Sequence, residues 1–208
     1  MIGIPVEHMV TWSMVKDMAY CEYMAYLNMT NGMYGYKRAW SKARRVVKSV
    51  LKSLERRYIT DPIIYTIDGV VFYLRPDAVI FDDNRVSIVL KSYIRMGLKI
   101  HDFDFIPLYI AGYLLERIGM NVDSSKLVII ASRSETELSK ALRGIIINNT
   151  WIHEGSSIKY RIYTEDVAIP LVKGVVELIK GIRNPRPTNN SYTCRRCTYK
   201  DTCEFSKL

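Results

Sequence analysis

Hydrophobic spacing changes period several times along the chain, and each change predicts an element. Met14, Val15, Met18, Cys21 and Tyr26 recur at helical spacing and predict a first helix over Thr11 to Leu27, capped by Thr11 or Ser13. A turn at Asn31-Gly32 follows and ends near Gly35. Ser41 to Tyr58 gives the clearest helix, with Val46, Val47, Val50, Leu51 and Leu54 on one stripe. From Pro62 the period drops to two. Ile63, Tyr65 and Ile67, then Val70, Phe72 and Leu74, flank Asp68-Gly69, a strong hairpin signal. A second hairpin is predicted from Asp77 to Phe81 and from Val86 to Tyr93, around a polar turn at Asp82 to Arg85, so that three consecutive strands run antiparallel.

Phe105 to Ile118 reads as a helix with Asp104 as its N-cap and Pro107 in its first turn. Lys126 to Ala131 is short and apolar enough for a buried parallel strand. Further along, Ser134 to Arg143 reads as helix, Ser157 to Thr164 as strand, and Glu165 to Ile182 as helix despite Pro170. The stretch from Arg183 to Asn190 breaks regular structure. The core order is helix, three strands, helix, strand, which predicts an α/β fold with a mixed sheet. It divides the chain into an N-terminal helical segment over 1–35, a core over 36–182 and a cysteine-bearing tail over 183–208.

Composition narrows the class. The 208 residues are 49% hydrophobic and 25% charged, with only 11 Gly and 7 Pro, which excludes collagen-like, mucin-like and disordered chains. The longest uncharged apolar run, Ile106 to Leu115, is about half of the ~20 residues a bilayer needs. Glu7 and His8 interrupt the N-terminus before a signal-type apolar run develops, so a cytoplasmic protein without a membrane partner is expected. The absence of Gln, with many Ile, Val, Tyr, Lys and Arg, points toward a thermophile.

Charge adds a partner. Thirty Lys and Arg against 21 Asp and Glu leave a net +9, which suits a polyanion such as DNA. Arg44, Lys48, Lys52 and Arg56 recur every four residues on the Ser41 to Tyr58 helix, joined by Arg45. Such a stripe is either a solvated face or a track for phosphates.

Four cysteines carry the most specific chemistry. Cys194, Cys197 and Cys203 form C-x2-C-x5-C near the C-terminus, and Cys21 is the one other cysteine, on the predicted first helix. In a reducing compartment, clustered cysteines point to metal rather than disulfides. Three ligands from one chain end need a fourth, so the site would staple the tail to the first helix. The spacing is compatible with zinc or with a [4Fe–4S] cluster. Arg195 and Arg196 would offset thiolate charge and extend a DNA-facing patch.

One cysteine on the first helix and three at the C-terminus is the arrangement of the CRISPR-associated RecB-type exonucleases, a PD-(D/E)xK nuclease family with a [4Fe–4S] cluster, which this chain resembles. Leu74-Arg-Pro-Asp-Ala-Val79 looks like the family's G-x-x-D-A motif, with Asp77 at the metal-binding aspartate. Ile88-Val-Leu-Lys-Ser92 looks like its E-x-K strand, with Lys91 at the catalytic lysine. Tyr109-Ile-Ala-Gly-Tyr113 looks like its Q-x-x-x-Y helix, with Tyr113 at the tyrosine. The resemblance implies a restriction-endonuclease-like αβββαβ core, a cluster on Cys21, Cys194, Cys197 and Cys203, Mg²⁺ or Mn²⁺ if the centre is active, a role in antiviral defence, and DNA and CRISPR-adaptation subunits as partners.

The departures fall on the chemistry. The glutamate of E-x-K is Val89, the glutamine of Q-x-x-x-Y is Tyr109, and Tyr36 or Trp40 stands near the place of the family's histidine. The Pro-Arg that usually follows the first cysteine is Glu22-Tyr23. Magnesium needs oxygen ligands, and strand alternation puts Val89 on the same face as Lys91. The expectation is therefore a DNA-gripping protein or complex subunit with an impaired centre. The alternatives are an active exonuclease using Asp77 and Lys91, with Glu116 as a substitute carboxylate, and a zinc-stapled interaction module.

Overall fold

Asp68 (φ 49°) and Gly69 (φ 82°) both lie in the left-handed region, the geometry of a two-residue turn whose twist matches its strands. They join β3 (Ile63–Ile67) to β4 (Val70–Leu74), paired from Ile67↔Val70 out to Ile63↔Leu74. The computed structural model describes residues 9–31 and 42–206. The expectations placed on Glu7, His8, the Gly32 to Gly35 turn, Tyr36, Trp40 and Ser41 lie outside the described residues.

The second hairpin joins β5 (Ala78–Asp82) to β6 (Arg85–Ile94) with Asp83 left-handed at its turn. The two hairpins belong to different sheets, which corrects the expected run of three antiparallel strands. β4 takes the short strand β1 (Met9–Thr11) as a parallel neighbour, so the first sheet runs β1-β4-β3. β5 and β6 join β2 (Tyr58–Ile59), β7 (Lys126–Ser132) and β8 (Ser156–Ile162) in a second sheet of order β2-β5-β6-β7-β8. Pro76 sits between β4 and β5; it has no N–H for a ladder and biases Arg75 toward extended backbone, so the chain leaves one sheet there and enters the other. β6 and β7 are parallel, and the remaining pairs in this sheet are antiparallel.

The predicted first helix is two helices. α1 (Trp12–Tyr20) is capped by Thr11, whose hydroxyl accepts from Met14 N at 3.4 Å, and α2 (Glu22–Thr30) restarts after Cys21, which is extended at φ −164° and ψ 110°. The basic helix α3 (Lys42–Ser53) stops before Tyr58. Glu55 turns left-handed, its N–H reaches Lys52 O and Arg56 N–H reaches Leu51 O. That pair of bonds closes a helix end, so Arg56 lies past the helix that was expected to carry it.

A 3₁₀ turn, Asp102–Phe105, precedes α4 (Ile106–Arg117). Asp104 caps back onto His101 N at 2.9 Å rather than standing ahead of the helix as its N-cap. α5 (Glu135–Asn148) begins at Ser134, whose hydroxyl accepts from Glu137 N. α6 (Glu165–Ile179) runs through Pro170, and α7 (Ser191–Arg195) is capped by Asn190. No helix among the described residues is long and apolar enough to cross a membrane.

Alternation along the strands splits the core into two layers. Val79, Val89, Leu127 and Ile129 pack against α1, α4, α6 and the smaller sheet. Ala78, Ile80, Leu90, Val128 and Ile130 face the other way, onto α3 and α5. The fold is thus mixed α/β, with a sheet buried on both faces.

One close approach fixes the first layer. A Cβ on Gly112 of α4 would lie 2.6 Å from Cδ2 of Tyr163. Tyr163 is buried and donates to Glu116 Oε2 at 2.8 Å, so its ring is held in place. Gly112→Ala should therefore lower stability by about 1–2 kcal/mol, because overpacking outweighs the gain in helix propensity. A melting temperature at or above that of the parent protein would show that the ring yields.

Candidate functional site

Asp77 stands where the chain enters the larger sheet, its N–H already bonded to Leu90 O at 2.8 Å. Its side chain is fully buried, and each carboxylate oxygen has two partners. Oδ2 accepts from Ser92 N and Ser92 Oγ, both at 2.8 Å. Oδ1 faces Lys91 Nζ at 3.1 Å and Arg44 Nη2 at 3.2 Å. Arg44 also donates to Arg75 O at 3.3 Å and Pro76 O at 3.5 Å, tying the β4–β5 corner to α3. Burial pulls the Lys91 ammonium below its ordinary range, and Asp77 opposes that. The same balance acts on Arg44: burial lowers it and Asp77 raises it.

This arrangement holds one anion between two cations and leaves no carboxylate oxygen open to a metal. Val89, at the matched glutamate position, is fully buried in the apolar layer. Lys91 rests over the Trp12 ring at 5.0 Å and Lys16 over the Tyr93 ring at 5.1 Å, so α1 covers this part of β6 with an aromatic and a cation one turn apart. Lys16 reaches Asp104 Oδ1 at 2.9 Å. Burial, then Asp104, pushes the Tyr93 hydroxyl well above its usual range. Trp12, Lys16 and Asp104 carried no sequence signal beyond a cap and a helix, and were not expected here.

The α4 residues face a different corner. Tyr109 Oη donates to Ile162 O at 3.4 Å, and Arg117 covers the Tyr113 ring at 4.6 Å. Glu116 accepts from Tyr163. Burial, then that bond, raises the Tyr163 hydroxyl. Glu116, the substitute carboxylate of the active-exonuclease alternative, thus holds Tyr163 in the fold.

The nominated cations divide. Arg44 is buried and turned inward, against the expectation of an outward stripe, because it shares the face of Val47 and Leu51. Arg45, Lys48 and Lys52 are exposed on α3. Of these, Arg45 lines an open groove of about 760 Å³ together with Ser49, Glu135, Lys140 and Arg143; the two α5 cations were not singled out from sequence. Arg56 contacts Asp82 at 3.4 Å and Ile146 O at 3.4 Å. Arg195 and Arg196 are exposed on and just after α7, and Arg196 bonds the Tyr192 hydroxyl.

The α1–α2 junction and the segment from α7 onward meet at the cysteines. Cys21, Cys194, Cys197 and Cys203 line one small apolar cavity with Met24 and Leu27. Burial pushes the Cys197 thiol up, and the other three cysteines add to it. Tyr199 N–H points at Cys197 Sγ at 3.4 Å. Among the described residues, no three His, Cys, Asp or Glu side chains are grouped to hold one metal ion. Thiolates are soft donors, the type that binds zinc or an iron–sulfur cluster.

A second fastening holds the tail without cysteine. Arg183 grips Glu22 with two bonds, Nη1 to Oε2 at 2.6 Å and Nη2 to Oε1 at 2.8 Å, and Arg186 N–H adds a third at 2.9 Å. Tyr23 packs edge-on against Phe205 and donates to Glu204 at 3.0 Å, while Tyr199 bonds Asn28 at 3.0 Å. Burial alone would raise the Glu22 carboxyl, but the bonds from Arg183 and Arg186 and their charges hold it below the usual carboxylate range.

No family model and no curated protein matches the chain. Among solved structures, the crystal structure of SSO0001 superposes with a TM-score of 0.57 at 15% identity, covering 99% of this chain and 90% of that one. A candidate exonuclease from Eubacterium rectale superposes at 0.42 and 12% identity, covering 91% and 88%. The likeness to SSO0001 is one of fold.

Two outcomes follow from these contacts. Asp77→Ala strands two buried cations and should cost about 3–5 kcal/mol in urea unfolding, most of it regained when Arg44→Met and Lys91→Met are added; a loss under about 1 kcal/mol would mean the cluster is not held as described. The Glu22 clamp, its carboxyl depressed below the ordinary 4.5, stabilises fully above that pH and fades as pH falls through the lower folded value. Protease access to residues 183–206 should rise on acidification in the parent protein, and already be high at neutral pH in Glu22→Gln.

Proposed function

We propose that this protein is a RecB-like, iron–sulfur DNA-binding protein related to the CRISPR-adaptation exonucleases, whose centre no longer cleaves and which grips DNA or serves as a subunit of a DNA-processing complex. One observation carries the loss of cleavage: the Asp77 carboxylate is saturated by Arg44, Lys91 and Ser92, beside an apolar Val89. A metal-dependent nuclease needs free oxygen ligands to hold the ion that activates water. Here a guanidinium occupies that electrostatic role permanently, and two positive charges nearby would repel a divalent ion.

DNA binding is supported by the net +9 and by the exposed Arg45, Lys48, Lys52 and Lys140 and the half-buried Arg143 along α3 and α5, with Glu135 as the acidic member of the groove. The iron–sulfur assignment is supported by four thiols that line one apolar cavity between α2 and the tail. Bound there, a cluster would join the chain ends and could carry an electron; Cys21, Cys194, Cys197 and Cys203 would hold it, with the Tyr199 N–H pointing at one thiolate.

The test is purified protein with single- and double-stranded DNA in Mg²⁺ and Mn²⁺. Binding without cleavage is expected, with affinity falling steeply as salt rises. Lys48→Glu with Lys52→Glu should weaken binding and flatten that salt slope. Cleavage abolished by Asp77→Ala would overturn the loss of activity. A colourless, zinc-loaded protein from anaerobic purification that ignores DNA would instead favour the zinc-stapled interaction module.

A further inference from the structure

A second feature lies at the far end of the same groove. α3 and α5 run side by side in one direction: Ser53 receives Arg143 at 2.7 Å, and one turn on Arg56 reaches Ile146 O. Beyond that point a cavity of about 250 Å³ opens, lined by Arg56, Arg85, Lys126 and Trp151, with Asp82 as its acidic side chain. Tyr160 meets Trp151 at 4.6 Å, and Lys126 Nζ lies 4.7 Å from the centre of the Trp151 ring and 5.8 Å from that of Tyr160. Asn149, the left-handed residue that ends α5, fixes both partners: its Oδ1 accepts from Trp151 Nε1 at 2.8 Å and from Lys126 Nζ at 3.5 Å. Ring and cation are therefore held in place before any ligand arrives.

We propose that this cavity is a base-stacking site for single-stranded nucleic acid, in which Trp151 takes an unpaired base while Arg56, Arg85 and Lys126 meet its phosphates. The chemistry argues for that ligand in particular. Three cations against one carboxylate select a polyanion, and a partly exposed indole beside them offers a surface that every base can use. α3 spans ~18 Å, room for about five phosphates of a stacked strand, so a strand lying in the groove would deliver its end to Trp151. The inference deepens the DNA-binding reading and rests on it, by naming a strand with an unpaired end as the preferred form.

Titration with oligo-dT and with blunt duplex tests it. Trp151→Leu, which keeps apolar packing, should lose about tenfold in affinity for oligo-dT and leave blunt-duplex affinity unchanged. Trp151→Phe should keep oligo-dT affinity within about threefold but lose the part of the fluorescence quenching that Trp151 contributes over the other tryptophans. Lys126→Gln provides the same comparison should Trp151→Leu fail to fold, with a several-fold loss on oligo-dT only. Equal oligo-dT affinity in Trp151→Leu, or equal displacement of oligo-dT by poly-glutamate and by nucleic acid, overturns the stacking site while leaving the groove intact. No binding of either DNA by the parent protein would instead remove the DNA reading itself.

Discussion

A carboxylate fully withdrawn from water must have its charge met on the spot, and Asp77 sets this demand at the junction of two sheets. Arg44 answers from α3, Lys91 and Ser92 from β6, so one anion ties together the helix layer, the hairpin and the corner where the chain changes sheet. The surroundings follow from that cluster. Lys91 needs an acceptor surface and finds the Trp12 ring; Lys16, one turn along α1, finds Tyr93 and Asp104. α1 is thus drawn over β6 by charge and aromatic contact as much as by the apolar contacts of Met14, Val15 and Met18.

Most of the fold was legible in the sequence where a local rule decided it. Asp68-Gly69 specified its turn, the apolar run at Lys126 specified a parallel strand between layers, and alternation separated Val89 from Leu90. The rest depended on distant partners. β1 is three residues long and exists because β4 offers a free edge; the break at Cys21 places Glu22 at a helix start, where Arg183 holds it. No spacing rule within the first thirty residues contains that information.

The site was legible in part for the same reason. Lys91 and Val89 could be placed on one strand face from alternation, Asp77 from its motif, and the four cysteines could be grouped by count. Arg44 was misplaced by reading the basic residues as a set of their own: Val47 and Leu51 follow it at three and seven positions, so its helical angle belongs to the apolar face. An arginine on that face is the trace of a buried anion. Asp104 and Lys16 left no comparable trace, since a cap and a surface lysine look the same from sequence. The clamp at Glu22 was visible only as a departure from a Pro-Arg pattern, and its partner lies 161 positions away.

The way Arg44 fills the Asp77 site also constrains how this sequence can change. Val89→Glu alone would place an unhydrated charge in the apolar layer that Val89 now fills, on the strand face that carries Lys91. Loss of Arg44 alone would release the β4–β5 corner and leave Asp77 with a single cation. A two-carboxylate metal site is therefore at least two substitutions away, and either one taken first passes through a less stable protein. The ion cluster works as a ratchet, which lets the fold drift in its surface chemistry while Asp77 keeps its three partners.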